Sequence, residues 1–232
     1  IGMFELYRIF HIEKEAVGII GYLAATVYYC NLKFAFLPDT MAFVLGVLIL
    51  MMFAYVFTYP KYKTEQVLAA FFGVFYVAVM CSYVDQTRMI EAGAYIVWLV
   101  FLCSWGCDTC AYCVGMLIGK HKMSPKLSPK KSVEGAVGGV VGAALLTIIY
   151  GMIFKSAMQI DQTHVWIMAG ISAVGALISM VGDLTASAIK RNYEIKDYGK
   201  LIPGHGGILD RFDSVIFTSP IIFYLAKMIL GL

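Results

Sequence analysis

The chain has 232 residues, of which 60% are hydrophobic and only 14% charged, with a formal net charge of +3. Soluble domains carry about 25% charged residues, so the composition excludes a soluble globular enzyme and points to an integral membrane protein. No nucleic-acid partner is expected.

Residues 1–15 read as a short amphipathic or interfacial lead-in. Seven apolar runs follow, at about 16–36, 41–59, 67–84, 90–119, 136–154, 164–184 and 212–232. Each approaches or exceeds the roughly 17–25 residues that a bilayer span needs. The expected fold is therefore an all-α integral membrane protein, a polytopic bundle of about seven transmembrane helices with cytoplasmic active-site loops. Residues 1–100 are expected to form N-terminal membrane helices, and residues 101–232 a C-terminal catalytic membrane domain. The loops on the N-terminal side carry fourteen of the eighteen Lys and Arg, including Lys120, Lys122, Lys126, Lys130, Lys131, Lys190, Arg191, Lys196, Lys200 and Arg211. The positive-inside rule makes that side cytoplasmic.

The fourth run is too long for one simple span and carries Asp108 near its middle. It is expected to bend, tilt or extend out of the membrane. At 100° per residue, Ser104, Asp108, Tyr112, Gly115 and Gly119 share one face. The pair Gly115 and Gly119 reads as a small-residue packing motif. Packing does not account for Asp108, because an intramembrane carboxylate is costly and marks function by default. Cys107, Cys110 and Cys113 are spaced C-x-x-C-x-x-C. A continuous helix cannot wrap three such thiolates around a cluster, and free Cys behaves as a small apolar residue. The stretch GMLIGKH lacks the Ser or Thr of a phosphate-binding P-loop and follows no strand.

The next loop, KHKMSPKLSPKKSVEG, is held extended by Pro125 and Pro129. Its lysines suit phosphate as point charges, or anionic headgroups. At the end of the sixth run, Asp183, Ser187 and Lys190 follow i, i+4, i+7 spacing and share a face, with Arg191 next. Asp183 lies too near the apolar run to be an ordinary surface acid.

The segment PGHGGILDRFDS precedes the last run. Gly204, Gly206 and Gly207 allow left-handed turns and close approach of backbone to an anion. They stand just before a helix start, itself an anion site. Asp210 and Asp213 are i, i+3 neighbours there, and Asp near a helix N-terminus also acts as a cap. His205 is expected to hydrogen-bond a phosphate or a neighbouring loop. Cations and glycines imply a polyanion, acids among cations imply a bridging Mg²⁺, and apolar walls imply a lipid. The residues alone thus suggest phosphoryl or nucleotidyl transfer between a nucleotide and a membrane lipid.

The C-terminal region closely resembles the phosphatidate cytidylyltransferase, or CDP-diacylglycerol synthase, family. The family signature is matched by Ser187, Lys190, Arg191, Lys196, Asp197, Pro203, Gly204, His205, Gly206, Gly207, Asp210, Arg211 and Asp213. A second match runs through Asp108, Thr109, Ala111, Tyr112, Gly115 and Gly119, then Ser128, Pro129, Lys130, Lys131, Glu134 and Gly135. Ala186 stands where many members carry an acid. Together the matches cover roughly residues 105–215.

The resemblance implies that CTP and phosphatidic acid give CDP-diacylglycerol and pyrophosphate with Mg²⁺, a second cation being left open. It implies Asp183 and Asp210 as metal carboxylates, with Asp108 and Asp213 as weaker candidates. Lys130, Lys131, Lys190, Arg191 and Arg211 would neutralise phosphates, and Ser187 would orient one or join the metal shell. Gly204 to Gly207 would cradle nucleotide phosphates, with Tyr112 and Lys196 also among the substrate-binding positions. CTP, phosphatidic acid and membrane lipids are the implied partners, and a homodimer is expected. The membrane is expected to be the plasma (inner) membrane in a bacterium or the endoplasmic reticulum in a eukaryote. Competing readings are a CTP-dependent lipid kinase and a transporter of an organic anion.

Overall fold

A computed structural model describes residues 1–37, 39–201, 204 and 206–230. Eight helices and one hairpin make up the regular structure of these residues. They are α1 (Gly2–Ile9), α2 (Ala16–Phe34), α3 (Thr40–Phe57), α4 (Thr64–Met89), α5 (Gly93–Ile118), the hairpin of β1 (Lys122–Ser124) and β2 (Ser128–Ser132), α6 (Val133–Met158), α7 (Gln162–Asn192) and α8 (Leu209–Leu230). All seven apolar runs are helical. Six of them, α3 to α8, are long and apolar enough to cross a bilayer. The remaining one, α2, is 19 residues long. Tyr22, Tyr28, Tyr29, Asn31 and Lys33 dilute its hydropathy.

Three helices contain wider π turns: Val74–Val79 in α4, Leu102–Gly106 in α5 and Ala226–Leu230 at the end of α8. The π turn of α5 lies just before Asp108. Such turns shift the phase of a helix and concentrate at functional positions. The one in α5 interrupts the regular helix within the run whose length exceeds one simple span.

The chain divides into two compact units. The first comprises Ile1–Ser82 with Asp197–Arg211. Its N-terminal helix is buried through Leu6 and Tyr7, with Ile12 just beyond. Tyr7 donates its hydroxyl to Ala70 O at 2.6 Å. Gly21 and Gly73 make room for the ring, since a Cβ at either would overlap it. Burial pushes the Tyr7 phenol well above its ordinary pKa, so it stays a donor. The face of α3 bearing Leu45, Ile49, Phe53 and Val56 is exposed, as lipid-facing residues are.

The second unit comprises Tyr83–Lys196 with Phe212–Leu232. Its apolar core takes Leu99, Val100 and Cys103 from α5, Met158 from α6, Met168 and Ile171 from α7, and Val215 and Ile222 from α8. Helices α5 and α6 approach closely because α6 presents glycines. Gly138 meets Val114, Gly139 meets Cys107 and Ala111, and Gly142 meets Cys110. A buried polar link joins three helices: Thr147 donates to Ser172 Oγ at 2.8 Å, and Ser172 to Ala143 O at 3.3 Å. Cys103 Sγ lies 3.4 Å from the same hydroxyl. The clustered cysteines thus fill helix contacts, apart from Cys113, which is exposed.

Candidate functional site

The loop between α5 and α6 is an antiparallel hairpin with Lys122 opposite Ser132 and Ser124 opposite Ser128. Two contacts anchor its base. Ser132 caps α6 by accepting from Gly135 N at 3.1 Å. Glu134, in the first turn of α6, accepts from Lys120 N at 3.1 Å and from His121 N at 3.2 Å. Its other oxygen pairs with His121 Nδ1 at 2.6 Å. Gly115 and Gly119 lie against Ser132, so the small-residue face of α5 seats the hairpin.

This arrangement encloses a cavity of about 470 Å³ within the second unit. Helix α5 lines it with Asp108, Ala111, Tyr112, Gly115 and Met116. The hairpin adds Met123, Ser128, Lys130, Lys131 and Ser132, α6 adds Gly135 and Ala136, and α7 adds Met180 and Asp183. The volume is in the range of small-molecule sites, about 300–1,000 Å³.

Charge in the cavity is arranged around one ion pair, Lys131 with Asp183. Asp108 faces both members of that pair and hydrogen-bonds with Ser214. Behind them sits Asp213, 7% exposed, in the field of Asp183, Lys190 and Asp108. Its Oδ1 accepts from Ser214 N at 2.7 Å. Three carboxylates and two ammonium groups therefore share one electrostatic neighbourhood, drawn from α5, β2, α7 and α8.

The glycine-rich segment belongs to the first unit and is organised by acids. Gly204 and Gly206 have φ of 76° and 83°, the left-handed region that suits glycine. Asp210 Oδ2 accepts from Tyr198 N at 2.7 Å and Gly207 N at 2.9 Å. Glu5 of α1, buried to 4% exposure, accepts from Ile208 N at 3.1 Å and Leu209 N at 2.8 Å. Arg8 donates to Tyr198 O at 2.5 Å. Leu209 N, the first amide of α8, and Ile208 N just before it are thus occupied by a side chain of this chain.

Of the positions singled out from sequence, Asp108, Tyr112, Lys130, Lys131 and Asp183 meet in the cavity. Ser187 and Lys190 continue along α7, half-buried, and Arg191 donates to Ile195 O at 3.2 Å. Lys196, Gly204 and Arg211 are exposed. Gly206 and Gly207 are ordered by Asp210. His205 and Pro203 lie outside the described residues. Ser104 is buried and donates to Val100 O at 2.7 Å; it lies within the π turn, whose wider pitch changes its phase relative to Asp108. Ser128, Ser132 and Met180 were not anticipated as lining residues, and Glu5 was not anticipated at all. Its one sequence signal is an acid in an otherwise apolar helical turn.

Among the described residues, no three His, Cys, Asp or Glu side chains converge tightly enough to enclose a metal by themselves. The donor set still suits Mg²⁺, which takes one or two carboxylates and completes its shell from phosphates and water. Asp108 and Asp183 offer such oxygens at a cavity wall.

Comparison with known proteins bears on this arrangement. The sequence profile of the cytidylyltransferase family matches residues 1–229. Phosphatidate cytidylyltransferase of Bacillus subtilis (strain 168) is 29% identical over 234 residues, covering 98% of this chain and 85% of the relative. The enzymes of that name from Staphylococcus aureus (strain COL) and Staphylococcus epidermidis (strain ATCC 12228 / FDA PCI 1200) are each 38% identical, over 152 and 150 residues. Those matches cover 65% of this chain and 55% of each relative, so the matched stretch spans about half the staphylococcal proteins. With its profile matched from the first residue almost to the last, the chain belongs to the cytidylyltransferase family.

Proposed function

We propose that the chain is a phosphatidate cytidylyltransferase, transferring CMP from CTP to phosphatidic acid to give CDP-diacylglycerol and pyrophosphate. The observation that carries this reading is the cavity itself, where Lys130, Lys131, Asp108 and Asp183 face one another beside Met116, Met123 and Met180. Cations bind phosphates, paired acids suit a divalent ion, and methionines accept apolar chains.

A phosphatidic acid phosphate is already a nucleophilic anion. Its oxygen forms the new bond to the α-phosphorus of CTP, the α–β phosphoanhydride bond breaks, and pyrophosphate leaves with that electron pair. No strong general base is needed. The obstacle is repulsion between two polyanions. Lys131 neutralises Asp183 in the free cavity and can turn to an arriving phosphate, while Lys130, more exposed, meets phosphate from the open side. Lys190 balances Asp213. Bound Mg²⁺, held by Asp183 with Asp108, would supply further charge neutralisation on the phosphates. Asp210 is the second metal candidate, and its Oδ2 also orders the glycine-rich segment. The cavity opens to the cytoplasm in this reading, following the Lys and Arg distribution, and two chains associate as a homodimer.

The test is an assay of purified protein in detergent with phosphatidic acid and each of the four nucleoside triphosphates, with and without Mg²⁺. The reading expects a cytidylylated lipid and pyrophosphate from CTP with Mg²⁺. Release of CDP with a phosphorylated lipid would instead identify a lipid kinase.

A further inference from the structure

The N-terminal helix carries a buried acid that the proposed chemistry does not use. Glu5 sits 203 and 204 residues before its hydrogen-bond partners, the amides of Ile208 and Leu209. Both carboxylate oxygens are engaged, one to each amide. The site is shaped around the carboxylate: a Cβ at Gly199 or Gly207 would collide with it. One turn further along α1, Arg8 holds Tyr198 O, and Asp210 holds Tyr198 N from the other side.

Two physical consequences follow. The N-terminus of a helix such as α8 attracts anions through its free amides and its dipole. Here Glu5 fills that position, so Ile208 N and Leu209 N are not available to a phosphate. In addition, Tyr198 on one side of the left-handed Gly204 and Gly206, and Ile208 and Leu209 on the other, are tied to α1. Fixing both ends limits the conformations that the glycines between would otherwise sample.

We infer that Glu5, supported by Arg8, is a positioning residue that clasps Tyr198, Ile208 and Leu209, which flank Gly204 and Gly206, for the receipt of nucleotide phosphates. This rests on the cytidylyltransferase reading for its substrate and on the hydrogen bonds alone for the clasp. Within this segment the glycine turn, and not Ile208 N or Leu209 N, is then what meets a substrate phosphate.

Two variants and two readouts test it. In the full-length protein in detergent, Glu5→Ala removes both acceptors, whereas Glu5→Gln keeps one. Hydrogen exchange at Ile208 and Leu209 needs no substrate. Protection should fall in Glu5→Ala and fall less in Glu5→Gln, and unchanged protection in both overturns the clasp. Steady-state kinetics then reads the role. A loosened segment raises KM for CTP about tenfold or more in Glu5→Ala. KM for phosphatidic acid stays near the wild-type value, and Glu5→Gln recovers part of the loss. A purely structural role lowers the active fraction and leaves KM for CTP unchanged, which overturns the positioning role. If Glu5→Ala does not fold, Glu5→Gln decides by the same two criteria. An inactive wild type would defeat the cytidylyltransferase reading separately, leaving the exchange result to uphold or overturn the clasp.

Discussion

Lys131 on the hairpin is ion-paired with Asp183 on α7, across the wall of the cavity. The two side chains are 24% and 25% exposed, so the pair is neither a surface contact nor fully buried. Lys131→Met leaves Asp183 without its partner. The expected stability loss is about 1–2 kcal/mol, below the ~3–5 of a fully buried pair because water still reaches both groups. Turnover should fall about a hundredfold, since the cation is also a phosphate ligand in this reading. A double-mutant cycle with Asp183→Asn measures the coupling. Additive effects on thermal stability would show that the pair is not an energetic unit.

Asp210→Asn should leave membrane insertion intact while removing most Mg²⁺-dependent turnover. Both amides that Asp210 serves donate to one oxygen, Oδ2, so the Asn amide oxygen can accept both and the glycine-rich segment should keep its contacts. A Mg²⁺ titration of activity checks the metal role. Near-wild-type activity at ordinary Mg²⁺ would remove Asp210 from the proposed ligand set.

Glu134→Ala releases the amides of Lys120 and His121 at the base of the hairpin. The base of the hairpin then loses the acceptor that ties it to the first turn of α6. The hairpin carrying Lys130 and Lys131 should then exchange its amides faster. Trypsin should also cut at Lys122 and Lys126 sooner than in the wild type, which is the measurement to make.

Gly142→Leu should separate α5 from α6, because even a Cβ at Gly142 stands 2.5 Å from Cys110 Sγ. Overpacking of this kind costs about 1–3 kcal/mol or more. Cys110 Cβ stands 2.5 Å from that position too, so Gly142→Ala with Cys110→Gly should melt closer to wild type in detergent than Gly142→Ala with Cys110→Ala. Equal melting of the two would contradict the contact.

The apolar runs made the helices legible, because span length and hydropathy act over many residues and survive local exceptions. The excess length of 90–119 marked it as more than a simple span, but its π turn depends on packing against neighbours, so its effect on the phase of Ser104 was not readable. Asp108 and Asp183 stood out as acids in apolar sequence, and the structure places both at one cavity. The hairpin was seen only as an extended loop: two prolines among lysines give little strand signal, and its pairing is fixed by Ser132 and Glu134. Glu5 was invisible because its partners lie some two hundred positions away, and no local pattern encodes that contact.

In the proposed reaction the α-phosphate of CTP is joined to a lipid phosphate at the Lys131–Asp183 cavity. The most direct measurement follows label from CTP carrying ³²P at the α or the γ position, with phosphatidic acid, in the wild type and in Asp183→Asn. In the wild type, α label should appear in the lipid and γ label in pyrophosphate, and both transfers should be nearly abolished in Asp183→Asn. Label reaching the lipid from the γ position, or undiminished α transfer in Asp183→Asn, would contradict this proposal.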